Sequence, residues 1–178
     1  MTRQIQLALA AVRPRKADPS VPVLGPSITR MRVHPGDLDY YWHVNNGTYL
    51  QMMDVARTNY MADIDALGAL KERGWYAVVA ASTMKYRRSL KLGDRFEIRT
   101  RVLGWDERVV YMEQSFWRDE ELSARGLVAG RFLHRDGSRV PAPDVIAFLA
   151  SLHGREVEEP ELPDDVATWA RAVDVAPR

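Results

Sequence analysis

The chain has 178 residues, of which 46% are hydrophobic and 28% charged, a composition typical of one folded domain and not of a disordered chain. A net charge of +1 is too small to support sequence-independent binding to nucleic acid. The absence of cysteine excludes a disulfide framework, thiolate metal sites and a cysteine nucleophile, so any nucleophile must be oxygen or nitrogen.

Residues 1–26 are predicted to be a flexible N-terminal arm and linker. A short apolar run follows Arg3, but Gln6 interrupts it, which is untypical of a secretory signal. The prolines of residues 18–26 resist both helix and central strand. Charged residues interrupt every hydrophobic run, so none reaches the ~18 apolar residues of a spanning helix. We therefore predict a cytoplasmic protein without a membrane span.

The next elements are a strand over residues 27–33 and a long helix. The helix is predicted from an apolar stripe at steps of three and four residues: Tyr49, Met53, Ala56, Tyr60, Ile64 and Leu67. Asn45 or Asn46 is a natural N-cap. The helix is expected to run about 20 residues, or about 30 Å, and to end at Gly68 or, after a second short turn, at Gly74.

Four further strands are predicted over residues 75–86, 95–104, 108–117 and 122–134, with connections short enough for antiparallel hairpins. Apolar residues alternate with charged ones in the strand predicted at residues 95–104, so one face of that strand is expected to pack against a core and the other to face solvent. Residues 27–153 thus predict an α+β domain with the helix lying across a curved antiparallel sheet, ending in a small helix at 141–152. An acidic tail with a possible short helix follows at residues 154–178.

The segment between the first strand and the helix is the candidate site. Two carboxylates, Asp37 and Asp39, are followed by three aromatic residues and by a helix N-terminus with unpaired backbone N–H groups. In isolation, such a pair of aspartates is more often turn or capping chemistry. Together with a helix end that can stabilise an oxyanion, a carboxylate suits acyl transfer.

The run Asp37-x-Asp39-x-x-x-His43-Val44-Asn45-Asn46-x-x-Tyr49-x-x-x-x-Asp54-x-Ala56-Arg57 resembles the hot-dog-fold acyl-CoA thioesterases, in the branch similar to 4-hydroxybenzoyl-CoA thioesterase. The segment from Lys85 to Asp94 is similar to the strand-turn-strand of that family. The resemblance covers residues 27–135. It implies a hot-dog fold, in which a curved antiparallel sheet of about five strands wraps a long central helix.

The resemblance also implies roles. Asp39 would be the general base or the nucleophile, and backbone N–H groups near Asn46 and Gly47 would hold the oxyanion. His43 would orient the thioester or the water. The substrate-binding candidates are Tyr49, Met53, Lys85, Arg87 and Arg88; the last three are basic residues suited to CoA phosphates, although such charge runs are usually solvated and methionines at helical spacing are usually core. Asp54 and Arg57 are expected to form a local ion pair.

We expect hydrolysis of an acyl-CoA thioester without a cofactor, by a homodimer or homotetramer, because active sites of this family usually lie between subunits. No metal site is predicted, since the histidines lack suitably spaced companions. Acyl carrier protein as the thiol carrier, a binding module without turnover, and an enoyl-thioester hydratase or dehydratase remain alternatives.

Overall fold

The computed structural model describes residues 3–154 and 156–176. The helices are α1 Arg3–Val12, α2 Asn46–Asp63, α3 Ala66–Glu72, α4 Ala142–Leu152 and α5 Asp164–Ala172. The strands are β1 Ser27–Arg32, β2 Trp75–Tyr86, β3 Arg95–Trp105, β4 Val110–Arg118, β5 Glu121–His134 and β6 Arg139–Val140. Within the described part of the chain, no helix combines the length and apolar character needed to cross a membrane.

The strands form one antiparallel sheet in the order β1-β3-β4-β5-β2, with β6 added beside β5. The order follows from the chain: β3, β4 and β5 are joined by short hairpins, while α2 and α3 separate β1 from β2 and place them at opposite edges. Every residue of β2 is exposed or half-buried, and β5 is its sole partner strand in the described chain.

Helix α2 lies across one face of this sheet and carries the predicted stripe into the core. Tyr49, Met53, Ala56 and Tyr60 are all buried there. Met52 is also buried, and α1 packs against α2. Burial on more than one face explains why a single stripe underestimates the apolar surface of this helix.

The end of α2 differs from the prediction. The helix has 18 residues and stops at Asp63, and Asp65 adopts a left-handed conformation with φ 51°. A second helix, α3, then starts at Ala66, so Gly68 lies inside a helix instead of ending one. Gly74 ends α3 with φ +72°, as the alternative prediction had it.

The strand predictions agree with the structure to within two residues. β2 has the predicted bounds, and Phe96, Ile98 and Thr100 of β3 point into the core while their neighbours are more exposed. The predicted α+β architecture, a long helix wrapped by a curved antiparallel sheet, is confirmed, with six strands instead of about five.

Both terminal segments carry more structure than the sequence indicated. The N-terminal segment, expected to be a flexible arm, forms helix α1, and its Arg3 is buried. The predicted short helix of the tail exists as α5, whose Val166 and Ala170 cover Leu103 and Tyr111 on the outer face of the sheet. The division of the chain at residues 26 and 153 stays a prediction.

Candidate active site

The loop before α2 is closed by a short ladder of backbone bonds. The Asn45 N–H donates to the Asp37 carbonyl at 2.8 Å, and the Asp39 N–H donates to the His43 carbonyl at 2.8 Å. The loop also joins the segment before β3, because the Val44 N–H donates to the Leu90 carbonyl at 3.0 Å. These bonds give the loop a defined conformation, although it lies outside the regular strands.

Asp39 lies half-buried inside this loop, and its two carboxylate oxygens differ. Oδ1 accepts the backbone N–H groups of Tyr41 at 2.9 Å and His43 at 3.3 Å. Oδ2 makes no hydrogen bond to any described residue. One oxygen therefore holds the side chain in place while the other remains available to a water molecule or a substrate.

The backbone at the start of α2 supplies one donor suited to an oxyanion. Asn45 caps the helix, as predicted for Asn45 or Asn46, and its Oδ1 accepts the Gly47 N–H at 2.8 Å. The Thr48 N–H donates to the Asn45 carbonyl at 2.9 Å. The side chain of Asn45 thus occupies the Gly47 N–H. Of the two residues near which the oxyanion donors were predicted, Asn46 is therefore the one whose N–H lacks an acceptor among the described residues.

The loop presents His43 and three aromatic side chains. The His43 imidazole is half-buried and has no hydrogen-bond partner in the described part of the chain. Tyr40, Tyr41 and Trp42 are 90%, 75% and 72% exposed. Trp42 has φ 60°, a left-handed conformation that L residues rarely adopt, and the turn from Asp39 to His43 requires it. With these exposures, the three aromatic side chains do not shield the loop from water within one chain.

The basic residues at the end of β2 lie at the same end of α2. The Tyr86 hydroxyl donates to the Asn46 carbonyl at 3.3 Å and ties the end of β2 to the start of the helix. Arg88 forms an ion pair with Glu121. Lys85 and Arg87 are exposed and form no ion pair with a described residue. Two cations are therefore available to an anionic ligand near the loop.

Two substrate-binding candidates lie in the core. Tyr49 packs between Tyr86 and Phe116, with ring centroids 5.2 and 5.1 Å apart, and burial raises the pKa of its hydroxyl. Met53 is fully buried, and its terminal atoms lie where a side chain on Gly126 would begin. In this conformation both residues serve packing, which is the ordinary role of such residues at helical spacing.

Sequence reasoning missed a cavity of about 660 Å³. Its walls are the C-terminal half of α2, the helix α3, the first residues of β2 and parts of β4, β5 and α4. Most of the lining is apolar and includes Met61, Trp75, Val128 and Phe132. A cavity of this size and character is typical of small-molecule sites.

An ion pair lies in the wall of this mostly apolar cavity. Asp54 and Arg57 line the cavity and form the predicted ion pair. Arg57 also donates to Oε1 of the fully buried Gln114 at 2.6 Å. Burial lowers the pKa of the Arg57 guanidinium, and the negative charge of Asp54 opposes that shift. The sequence signal was present: Gln114 occupies an inward-facing position of a strand, where a polar residue needs a partner.

The loop and the cavity lie at different ends of α2. Asp54, the residue of the cavity wall nearest the start of α2 along the helix, follows Asn46 by eight positions, which corresponds to about 12 Å along a helix. Within one chain, the cavity therefore begins well beyond the Asp39 loop. No group of three or more acidic or histidine side chains suited to a metal ion occurs among residues 3–154 and 156–176.

A long helix wrapped by a curved antiparallel sheet is the architecture of the hot-dog class of folds. A sequence profile of the thioesterase-like superfamily matches residues 33–170, and the chain belongs to that family. The helix α1 lies outside the matched range.

Relatives and solved structures agree with this assignment. The chain is 38% identical over 144 residues to "Protein THEM6" of Xenopus laevis, which covers 80% of this chain and 66% of that protein. A thioesterase from Thermus thermophilus, solved with coenzyme A and Zn, is 32% identical with a TM-score of 0.59 and covers 72% of this chain and 95% of that one. The probable thioesterase YbaW from Escherichia coli, 20% identical, has a TM-score of 0.64 over 68% of this chain and 94% of that one, a likeness of fold.

Proposed function

We propose that the chain is an acyl-CoA thioesterase in which Asp39 is the general base or the nucleophile. The observation that carries the proposal is the Asp39 carboxylate, which is oriented by two backbone N–H groups and keeps one oxygen without a protein partner. Family membership and the structure solved with coenzyme A support the choice of substrate class. The exposed Lys85 and Arg87 suit the phosphates of CoA.

The reaction needs a base or nucleophile and a stabilised oxyanion. As a general base, Asp39 would take a proton from water while the water oxygen bonds to the thioester carbon. The carbonyl oxygen would then carry the negative charge toward the Asn46 N–H at the positive end of α2. The carbon–sulfur bond breaks, and the thiolate leaves and takes up the proton. As a nucleophile, an Asp39 oxygen would first bond to the thioester carbon, the carbon–sulfur bond would break and release the thiolate, and water would then hydrolyse the resulting acyl anhydride.

One measurement detects the nucleophilic route. After a single turnover in water enriched in heavy oxygen, label in the Asp39 carboxylate shows that an anhydride with Asp39 formed and that water attacked the Asp39 carbonyl carbon. Label in the product carboxylate alone is expected of the base route, and also of an anhydride hydrolysed at the acyl carbon. Peptide mass spectrometry of the loop detects the label on Asp39.

The central test is thiol release from short, long and aromatic acyl-CoAs by wild type and by Asp39→Asn. The protein has no cysteine and gives no background with a thiol reagent. We expect at least about a hundredfold loss of kcat in Asp39→Asn, and a wild-type rate in the control Asp144→Asn, an exposed residue of α4. Near wild-type turnover in Asp39→Asn refutes the mechanism, and wild-type activity confined to acyl carrier protein thioesters would identify a different carrier. If both forms bind acyl-CoA and neither hydrolyses it, the chain is a binding module.

We further propose that the working unit is a homodimer paired along β2. The outer edge of β2 is unpaired in the described chain and exposes Tyr76, Val79 and Tyr86, which makes it a strand-pairing surface. Antiparallel pairing about a two-fold axis would put the end of β2 beside the start of the partner's β2. Each Asp39 loop would then face the partner's cavity, which brings together the two features that one chain separates.

Mixed dimers test this arrangement. Gly130 lines the cavity, and a Cβ there would lie 3.7 Å from the Val110 carbonyl oxygen, an ordinary contact, so we expect Gly130→Leu to fold and to place its side chain in the cavity. Mixing Asp39→Asn with Gly130→Leu should restore about a quarter of wild-type activity on long acyl chains, because half of the dimers are mixed and each has one intact site. If the mixture has the mass of a dimer and recovers no activity, both parts of the site lie in one chain and the proposed arrangement is wrong.

A further inference from the structure

Helix α1 inserts one charged side chain into the base of the Asp39 loop. The guanidinium of Arg3 donates from Nε to Asp37 Oδ1 at 2.9 Å and from Nη2 to Asp37 Oδ2 at 2.6 Å. Nη2 also donates to the Arg32 carbonyl at 2.8 Å, and Nη1 donates to Gln6 Oε1 at 2.7 Å. The Arg3 and Asp37 side chains are each 3% exposed. This is a buried, bidentate ion pair, the geometry that arginine forms and lysine does not.

Asp37 in turn sets the geometry of the loop. Its Oδ2 accepts the His34 N–H at 2.8 Å, and its backbone carbonyl accepts the N–H of Asn45, the cap of α2. Asp39 lies two residues further on, inside the loop that this backbone bond closes. A shift of Asp37 therefore moves Asp39 relative to the start of α2. Removing Arg3 would leave the Asp37 carboxylate buried without its counter-ion, a costly state that the loop can relieve by moving.

We infer that Arg3 is a positioning residue for Asp39, acting through Asp37 and reaching the site from a helix outside the matched family range. The inference rests on the proposed role of Asp39. It assigns the N-terminal helix a part in activity, because α1 holds the reactive loop in register with the donor at the start of α2. Small displacements matter here, since a shift of about 1 Å can cost about a hundredfold in rate.

The chain offers a matched control at the opposite end of α2. Arg15 forms an ion pair with Asp63, whose Oδ2 also accepts the Ser27 hydroxyl at 2.6 Å. Like Arg3, Arg15 joins the N-terminal segment to a buried carboxylate, but that carboxylate belongs to the last residue of α2 and not to the loop. The Arg15 side chain is 35% exposed and that of Arg3 is 3%, so the free energy of unfolding is measured for both variants beside kcat. A loss of loop geometry would lower kcat of the folded protein in Arg3→Met alone.

The test compares Arg3→Met, Arg3→Lys and Arg15→Met in the full chain. We expect Arg3→Met to lower kcat about ten- to a hundredfold with KM changed by less than about twofold. Arg3→Lys should recover part of kcat because it keeps the charge, and it serves as the second variant if Arg3→Met does not fold. Arg15→Met should keep kcat within about twofold of wild type. Equal kcat in Arg3→Met and wild type, or an equal loss in Arg15→Met, overturns the inference.

A second readout does not depend on activity. The amides of residues 39–45 are hydrogen-bonded within the loop or to its neighbours, apart from Tyr40. Hydrogen exchange of this segment should accelerate in Arg3→Met and stay at the wild-type rate in Arg15→Met. Unchanged exchange in Arg3→Met overturns the positioning role even if wild type hydrolyses no thioester. If exchange accelerates in Arg3→Met but wild type hydrolyses no thioester, the proposed function is refuted, while the structural conclusion that Arg3 holds the loop in place stands.

Discussion

Replacing Gln114 by leucine tests the polar contact that joins α2 to the sheet. The Gln114 side chain is 0% exposed and makes three hydrogen bonds. Its Nε2 donates to the Met53 carbonyl at 3.0 Å and to Thr100 Oγ1 at 3.1 Å, and its Oε1 accepts Arg57 Nη1 at 2.6 Å. Leucine has a similar size and can make none of these bonds, so the substitution isolates their contribution.

The expected loss follows from the three bonds. The two neutral bonds contribute about 1 kcal/mol each, and the bond to the guanidinium contributes about 1.5–3 kcal/mol. Leucine returns part of this because it buries additional apolar surface. The guanidinium of Arg57 is mostly buried, so its lost acceptor is not readily replaced by water. We expect Gln114→Leu to lower the free energy of unfolding by about 2–4 kcal/mol.

Urea unfolding followed by tryptophan fluorescence measures this loss, with all variants at one protein concentration because dimerisation would contribute to stability. The control is Gln51→Leu, an exposed glutamine on α2, which should change stability by less than about 0.5 kcal/mol. A loss below about 1 kcal/mol for Gln114→Leu, with an unchanged slope against urea, would refute the reasoning. It would mean that Arg57 finds equivalent partners without Gln114.

Three further predictions follow from other contacts. Gly130→Leu should reduce kcat/KM for long acyl-CoAs by about fourfold for each methylene excluded from the cavity, and should leave acetyl-CoA unaffected in the same thiol-release assay. Asp165→Asn should lower stability at pH 7 by at most about 1 kcal/mol, because the hydrogen bond from Arg125 lowers the pKa of this exposed carboxyl. The folded-state pKa of Asp165 lies below the unfolded value of about 3.9. Urea unfolding at several pH values should therefore show the difference in stability between wild type and Asp165→Asn disappear as the pH falls through that lowered pKa. Gly25→Ala should lower the melting temperature measured by circular dichroism, because Gly25 has φ +82° and a Cβ would lie 2.6 Å from the Thr100 carbonyl oxygen; an unchanged melting temperature would contradict the clash.

The sequence could predict the sheet because its signals are local. The apolar and polar residues of β3 alternate, and short turns separate it from β4, so pairing and facing follow from chain order. The hydrophobic stripe of α2 and its Asn45 cap were equally readable. The break between α2 and α3 at Asp65 could not be predicted, because a single left-handed aspartate leaves no periodic signal in the sequence. The prediction placed the helix end at a nearby glycine instead.

The candidate site divides in the same way. A local motif identified Asp39, His43 and the start of α2, and the loop does present one free carboxylate oxygen there. Spacing along the chain did not show that the Gly47 N–H bonds to the helix cap, since that depends on the rotamer of Asn45.

The sequence by itself determined the fold class, the order of the elements and the loop that carries the candidate carboxylate, since each depends on residues close together in the chain. Tertiary structure alone decided which distant residues meet. Arg3 reaches Asp37 across 34 positions, and Gln114 reaches Arg57 across 57. A lone arginine in a short apolar run gives no sign of its partner, because burial of a charge is decided by the packing of α1 on α2 and not by its neighbours in sequence.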